Sequence, residues 1–207
     1  NGVAACVKHY ALNNQELWRG HIDVNLSDRA LHEIYLPAFK AAVEQGKAWA
    51  IMGAYNLYKN QHNCHNQYTL KRILKGDWAF DGVVVSDWGG CHDTDQAVKN
   101  GLDMEFGTWT NGMSTNRSNA YDLYYLATPY IQGIKSGKYN TRELDDKVRR
   151  VLRLFYRTTM NRQRPHGFLC SETHYEAARQ IANEGIVLLQ NRNNVLPIDR
   201  NKAKRIL

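Results

Sequence analysis

Side chains that can bind or react accompany four short apolar runs of the sequence. Lys8 and His9 follow the first run, Tyr55 follows the second, Asp87 follows the third, and Glu105 lies within the fourth. In (β/α)8 barrels, the carboxyl ends of the strands and the loops after them build the active site. These side chains are therefore candidates for one common site.

Asp87 is the candidate with the clearest chemistry. It comes just after the most apolar run, at 83–85, and precedes Trp88 and two glycines that leave room for a ligand. A carboxylate in this place can attack or stabilise the anomeric carbon of a sugar while an aromatic ring packs on the sugar's C–H face. Retaining glycosidases use two such carboxyl groups about 5 to 5.5 Å apart. The alternative is that Asp87 caps a helix or pairs with a cation of another loop.

The remaining candidates also have structural explanations. Lys8 and His9 fit a basic pair on the surface, and Tyr55 fits a turn as well as a ligand contact. Met52 lies in an apolar run and fits the core. Trp88, taken alone, fits ordinary packing.

The elements that must position these residues follow from periodicity. Continuous apolar runs predict buried parallel strands at 3–7, 48–52 and 83–85, with a weaker fourth at 102–106. Helical spacing separates them, with Ser27 as an N-cap and Pro37 as a kink in the first helix. Further helices are predicted at 68–76, 94–100, 124–136 and 141–156. Alternating strands and helices predict an α/β fold.

A linker follows the last of these helices. Residues 158–170 lose all periodicity and gather basic residues, Pro165 and Gly167. Beyond them the sequence predicts a helix around 175–182 and a strand at 186–189. A second domain is therefore expected to begin after the linker.

The net charge of +7 is confined to the C-terminal third of the chain. The first 137 residues hold 12 Lys and Arg against 13 Asp and Glu, whereas the remainder holds 15 against 7. Much of the excess lies where acidic residues precede basic ones by four positions, which predicts ion pairs on a solvated helix face. These pairs are Glu143–Lys147, Asp145–Arg149 and Asp146–Arg150. No nucleic-acid-binding motif accompanies the charge, so a nucleic-acid partner is not expected.

Other classes of site are not predicted. The four cysteines form no C-x-x-C pair, so their spacing predicts neither a disulfide framework nor a zinc site. The segment 61–65 contains ligand-type side chains, but a polar loop is favoured over a metal site. No apolar stretch approaches the roughly 18 residues of a membrane span, and no signal segment is recognisable.

Taken in order, several of these segments resemble glycoside hydrolase family 3. The motifs lie at 8–16, 29–39, 52–56, 78–88 and 101–105, and those at 177–191 and 196–198 resemble the start of that family's second domain. The resemblance implies that residues 1–157 are the C-terminal half of a (β/α)8 TIM-type barrel, 158–170 a linker, and 171–207 the beginning of an α/β-sandwich domain. A closed barrel takes about 250 residues, so the chain is expected to be a fragment cut at both ends.

The resemblance also implies roles for individual residues. Asp87 would be the nucleophile of a retaining mechanism, with no metal or cofactor. Side chains that would hydrogen-bond the sugar bound next to it, or shape its pocket, are Lys8, His9, Arg19, Met52, Tyr55 and Trp88. The acid/base glutamate would lie in the missing part of the second domain. Four carboxylates of this chain are left without a role: Glu16, Asp93, Asp95 and Glu105.

The residue after the nucleophile indicates the subclass. The β-xylosidase branch of the family has Cys there, whereas this chain has Trp88, which favours a β-glucosidase acting on β-glucosides or gluco-oligosaccharides. A β-xylosidase, another exo-β-glycosidase, or a non-catalytic remnant are the alternatives. The missing barrel half and second domain are the expected intramolecular partners, and the isolated chain is expected to be nearly inactive. Relatives of this kind are often periplasmic or secreted.

Overall fold

The computed structural model describes residues 2–107, 120–199, 201–203 and 205. The chain forms two compact units, Asn1–Pro165 and His166–Leu207. The boundary between them lies inside the predicted linker 158–170. The first unit carries all of the candidate site residues.

The first unit is built on a parallel sheet, as the sequence predicts. The strands among the described residues are β1 (Cys6–Tyr10), β2 (Asp23–Val24), β3 (Ala50–Gly53), β4 (Leu57–Tyr58), β5 (Gln61–His62) and β6 (Val83–Val85). The main sheet has the order β1–β3–β6, and both pairings are parallel. Met104 extends it through an isolated parallel bridge to Val85. This is the order of successive strands around a barrel wall.

Two of the predicted strands are shifted along the chain. The first strand begins at Cys6 instead of Val3, and it includes Lys8 and His9, which were expected to follow it. The second begins two residues later and ends one residue later than predicted, while β6 matches its prediction. The predicted fourth strand is reduced to the bridge at Met104. Backbone pairing with the neighbouring strand sets these boundaries, whereas the sequence signal is only the polarity of the side chains.

Helices cover the sheet and connect its strands. They are α1 (Asp28–Ala30), a π-helical stretch (Leu31–Tyr35), α2 (Pro37–Glu44), a π-helical stretch (Gln67–Asp77), α3 (Thr94–Lys99), a 3-10 turn (Ala120–Leu123), α4 (Thr128–Lys135) and α5 (Arg142–Arg157). Ser27 caps the first helix as predicted, because its Oγ accepts the backbone N–H of Ala30 at 3.2 Å. Pro37 is the first residue of α2 and divides the predicted helix into two.

The core lies between the sheet and these helices. Ile51 and Val84, from the centre of the sheet, are fully buried against leucines and isoleucines of the covering helices. Burying each such side chain contributes about 1.5 to 3 kcal/mol. Tyr10 joins the core at the end of β1 and donates a hydrogen bond from its hydroxyl to the carbonyl of Thr69 at 2.8 Å. This packing fixes the strand ends that carry the candidate site.

A buried charge network supports the strand that precedes Asp87. Lys75 Nζ lies 2.6 Å from Oδ1 of Asp103, and Oδ2 of Asp103 accepts the backbone N–H of Val84 at 2.8 Å. Lys147 reaches the same region and donates to the backbone carbonyls of Ala97 and Leu102.

The prediction that Lys147 pairs with Glu143 on a solvated face is therefore wrong. Lys147 is only 6% exposed, because the first unit buries it where it satisfies two carbonyls. Of the three predicted pairs, Asp146–Arg150 forms, at 2.9 Å. Burial is the main reason why the pKa of Lys147 falls from its ordinary 10.5 to about 8.

The second unit consists of α6 (Glu172–Gly185) and a 3-10 turn (Arg192–Asn194). The strand predicted at 186–189 is absent, and Leu189 is 92% exposed. A strand needs a hydrogen-bonded neighbour, and none of the described residues of this unit supplies one. Within the described ranges, no helix is long and apolar enough to cross a membrane.

The depressed pKa of Lys147 predicts a pH-dependent stability. Between about pH 8 and 10.5 the unfolded chain keeps the proton that folded Lys147 has lost, so the free energy of unfolding rises with pH across this window. The Lys147→Met variant should lose this rise, as measured by urea unfolding of both chains at several pH values. The Lys135→Met variant, which changes an exposed lysine of α4, should keep it. Parallel pH profiles for the chain and Lys147→Met would contradict the prediction.

Candidate active site

The candidate site lies at the carboxyl ends of β1, β3 and β6. Asp87 follows β6 and is 9% exposed. Its Oδ2 lies 3.2 Å from Nε2 of His9 in β1, and its Oδ1 accepts the backbone N–H of Trp88 at 2.7 Å. Each carboxylate oxygen of Asp87 therefore has a nitrogen neighbour. These contacts hold the side chain at the carboxyl ends of the strands.

Tyr55 connects the loop after β3 to Trp88, the residue that follows Asp87. Its hydroxyl donates to the carbonyl of Trp88 at 2.7 Å. Burial, followed by the negative charge of Asp87, raises the pKa of Tyr55 to about 12. The hydroxyl consequently stays protonated at neutral pH and remains a donor. The guanidinium of Arg19 lies over the Tyr55 ring, 4.7 Å from its centroid.

Five of the sequence candidates are thus joined by direct contacts: His9, Arg19, Tyr55, Asp87 and Trp88. Lys8 is exposed in β1 next to His9, where the register with β3 shifts between Val7 and Tyr10. Met52 is half-buried in β3 and pairs with Val85 of β6. Both lie on strands of the site, and the contacts above do not include them.

A cavity of about 640 Å³ lies beside Trp88. The indole of Trp88 is stacked on Phe106, with ring centroids 5.4 Å apart, and the residue remains 55% exposed. The other described residues that line the cavity are Asp103, Met104, Glu105, Gly107, Tyr124, Leu126 and Ala127. The exposed indole forms an apolar surface of this cavity, on the residue that follows Asp87.

The turn after Asp87 packs tightly on Cys64, a contact that the sequence did not reveal. A Cβ atom added at Gly90 would lie 2.6 Å from Cys64 Sγ, and one added at Gly53 would lie 2.6 Å from the Cys64 Cα. Both glycines are therefore required by close approach. Burial raises the pKa of the Cys64 thiol to about 12, so it is a neutral packing group.

The polar segment 61–66 does not form a metal site among the described residues. No group of three or more His, Cys, Asp or Glu side chains in these ranges is arranged to hold a metal ion. Its asparagines hold the backbone: Asn63 donates to the carbonyl of Ala11 at 2.8 Å, and Asn66 caps the helical stretch that begins at Gln67. The four cysteines are free thiols.

Comparison with known proteins identifies the family of the chain. The family model described as "Glycosyl hydrolase family 3 N terminal domain" matches residues 1–154. The chain belongs to glycosyl hydrolase family 3. The sequence resemblance, the fold class and the glycosidase family predicted above are therefore confirmed.

Members of glycosyl hydrolase family 3 resemble the chain along its whole length. "Beta-glucosidase BoGH3A" of Bacteroides ovatus is 58% identical over 212 residues, which cover 100% of this chain and 28% of that protein. "Thermostable beta-glucosidase B" of Acetivibrio thermocellus is 34% identical and is matched over 25% of its length. The structure of β-glucosidase 3B from Thermotoga neapolitana in complex with glycerol superposes with a TM-score of 0.74 at 32% identity, covering 97% of this chain and 27% of that one. The chain thus spans about a quarter of the length of these relatives.

The close approach of Gly90 to Cys64 predicts a coupled pair of substitutions. Gly90→Ala should lower the free energy of unfolding by about 1 to 3 kcal/mol, because its methyl group overlaps a buried sulfur. Gly20→Ala is the matched control, since nothing lies within 4 Å of its added Cβ.

Removing the sulfur should relieve the overlap. In a double-mutant cycle measured by urea unfolding, Gly90→Ala should cost less in a Cys64→Ala background than in the original chain. Strictly additive effects would show that the two residues are not in contact.

Proposed function

We propose that this chain is the nucleophile-bearing part of a retaining β-glucosidase. The observation that carries the proposal is the placement of Asp87, a largely buried carboxylate after β6 whose oxygens face His9 Nε2 and the Trp88 backbone N–H. Membership of glycosyl hydrolase family 3 and the β-glucosidase relatives support the same reaction.

In the proposed reaction, Asp87 attacks the anomeric carbon of the substrate. A bond forms between a carboxylate oxygen and that carbon, and the bond from the carbon to the leaving oxygen breaks. The leaving oxygen takes a proton from an acid/base group, which later accepts a proton from water as the water hydrolyses the glycosyl ester. Two displacements at one carbon retain its configuration.

The neighbours of Asp87 orient this attack. The Trp88 N–H donates to Oδ1 of Asp87, so Oδ2, which lies toward His9, is the oxygen that would attack. We propose that His9, Lys8 and Arg19 bind hydroxyl groups of the sugar on this side. Such contacts accelerate the reaction only as far as they strengthen in the transition state.

Tyr55, Met52 and Trp88 shape the proposed sugar pocket. Tyr55 stays a donor and fixes the carbonyl of Trp88. Met52 lies one residue before the end of β3, a strand whose carboxyl end belongs to the candidate site. The exposed indole of Trp88, next to the cavity of about 640 Å³, offers a surface for the leaving group.

We further propose the domain organisation that the sequence predicted. Residues 1–157 would form the second half of the barrel, 158–170 the linker, and 171–207 the start of an α/β-sandwich domain. The family match to 1–154 and the unit boundary at Pro165 support this division. The acid/base group would be supplied by a part of the relatives that this chain does not match, so the isolated chain would be nearly inactive.

The assignment of Asp87 is tested in a hybrid enzyme. This chain replaces the matching segment of the Bacteroides ovatus relative, and the hybrid is treated with a 2-deoxy-2-fluoro-β-glucoside. The label should appear on the peptide that contains Asp87, and Asp87→Asn should lower kcat/KM on the order of 10³-fold or more. Asp81→Asn, which changes an exposed carboxylate, is the control. Labelling of another residue in an active hybrid would refute the assignment.

The proposed role of Trp88 predicts a selective loss of affinity. In the same hybrid, Trp88→Ala should raise KM for aryl β-glucosides about tenfold through lost stacking, with a smaller effect on alkyl β-glucosides. Trp49→Phe, before β3 at the opposite end of the sheet, should leave both KM values unchanged. Equal losses for aryl and alkyl substrates would exclude stacking on the leaving group. A higher kcat/KM for β-xylosides than for β-glucosides would favour the β-xylosidase alternative.

A further inference from the structure

His65 lies beneath the turn that carries Asp87 and has no part in the reaction proposed above. It is 1% exposed, at the end of the 3-10 turn Asn63–His65 that follows β5. Its Nε2 is 3.1 Å from the backbone nitrogen of His92, and its Nδ1 is 3.0 Å from Oε1 of Gln96. Both ring nitrogens are therefore engaged in hydrogen bonds.

These partners fix the proton on the ring. A backbone N–H can only donate, so Nε2 of His65 must present a lone pair to His92. The single proton of the neutral ring then resides on Nδ1 and is donated to the carbonyl oxygen of the Gln96 side chain. A cationic His65 would direct an N–H against the N–H of His92, so it cannot make this hydrogen bond.

The hydrogen bond between His65 and His92 holds the far end of the segment that begins at Asp87. Within this segment, the N–H of Gly90 donates to the Asp87 carbonyl at 3.0 Å, and Gly90 rests on Cys64 Sγ. Gly89 is also held, because its N–H donates to the Phe106 carbonyl at 3.1 Å, and His92 is the next residue of the segment whose N–H donates to a group outside it. Cys64 and His65, adjacent in sequence, thus support two points of the same turn.

We propose that His65 is a positioning residue of the candidate active site, which as a neutral acceptor holds the segment from Asp87 to His92 in place and releases it when protonated. The inference rests on the proposed function only for the role of Asp87. It assigns a task to the polar segment 61–65, for which the sequence favoured a loop.

The surroundings of His65 keep it neutral over the physiological range. Burial is the largest cause, and the neighbouring rings of His62 and His92 also disfavour the charge, whereas Gln96 and Asp93 favour it. Together they lower the pKa of His65 to about 4. His62 is itself fixed by the carbonyl of Tyr55, which lies 2.9 Å from its Nδ1.

The proposal is tested by NMR spectroscopy on the 207-residue chain, without substrate. The ring nitrogens of His65 should show a protonated Nδ1 and an unprotonated Nε2 at neutral pH. The protection factor of the His92 amide against hydrogen exchange should fall as the pH is lowered through about 4. An unprotonated Nδ1, or a His92 amide that keeps its protection in the cationic state of His65, would overturn the proposal.

Two variants test separately the two hydrogen bonds of the His65 ring, the one accepted from His92 and the one donated to Gln96. His65→Gln can present an oxygen to His92 and cannot be protonated, so the amide should keep its protection at low pH. His65→Asn can donate to Gln96 but does not reach His92, so exchange of the His92 amide should be about tenfold faster at neutral pH. His32→Gln, at an exposed histidine, is the control for altered charge.

The Trp88 amide reports on Asp87 itself, because it donates to Oδ1 of Asp87. Its proton shift should move in His65→Asn and stay in His65→Gln, while the Val84 amide, held by Asp103, keeps its protection in both. If the Trp88 amide does not move in His65→Asn, the proposal that His65 positions Asp87 is refuted.

If a variant does not fold, the nitrogen shifts of the His65 ring and the pH profile of the His92 amide in the unmodified chain still test the proposal. Labelling of Asp87 in the hybrid enzyme tests the proposed function separately.

Discussion

The candidate site depends on the parallel pairing of β1, β3 and β6. Because parallel strands end at the same edge of a sheet, residues far apart in the sequence meet there. His9 reaches Asp87 across this edge, and Tyr55 reaches the backbone carbonyl of Trp88. Backbone hydrogen bonds of the ladder hold the strands in register, and hydrophobic residues of the core pack against the sheet. The reactive groups therefore need no contact with one another to be brought into position.

Strand pairing alone does not fix the loops beyond the strand ends. Three contacts help to hold these loops. They are the close fit of Gly53 and Gly90 on Cys64, the hydrogen bond from His92 to His65, and the hydrogen bond from Tyr55 to Trp88. Each uses a neutral group. These contacts add no charge beside Asp87, whose negative charge would stabilise the positive charge that develops on a sugar.

The sequence predicted those features that depend on local pattern. Apolar runs located β3 and β6 to within two residues, and Asp87 lies just after β6 as expected, while its role as the nucleophile stays a prediction from the resemblance. Features set by distant partners were missed: Lys147 binds carbonyls 45 and 50 residues away, and His65 accepts the amide of a residue 27 positions on. The strand expected at 186–189 failed for the same reason, because an apolar run forms a strand only beside a partner.

The four carboxylates that the sequence left without a role bear on where the acid/base group resides. Glu105 accepts the backbone amides of Tyr125 and Leu126, Glu16 pairs with Arg19 at 2.8 Å, and Asp93 caps α3 through the amide of Gln96. Asp95, on α3, binds the hydroxyl of Tyr139 and pairs with Lys138 at 3.0 Å. A general acid must carry a proton and release it to the leaving oxygen, whereas each of these groups accepts hydrogen bonds or pairs with a cation as a carboxylate. Their contacts support the proposal that a full-length family member divides the reaction, with the nucleophile in this segment and the proton donor in another.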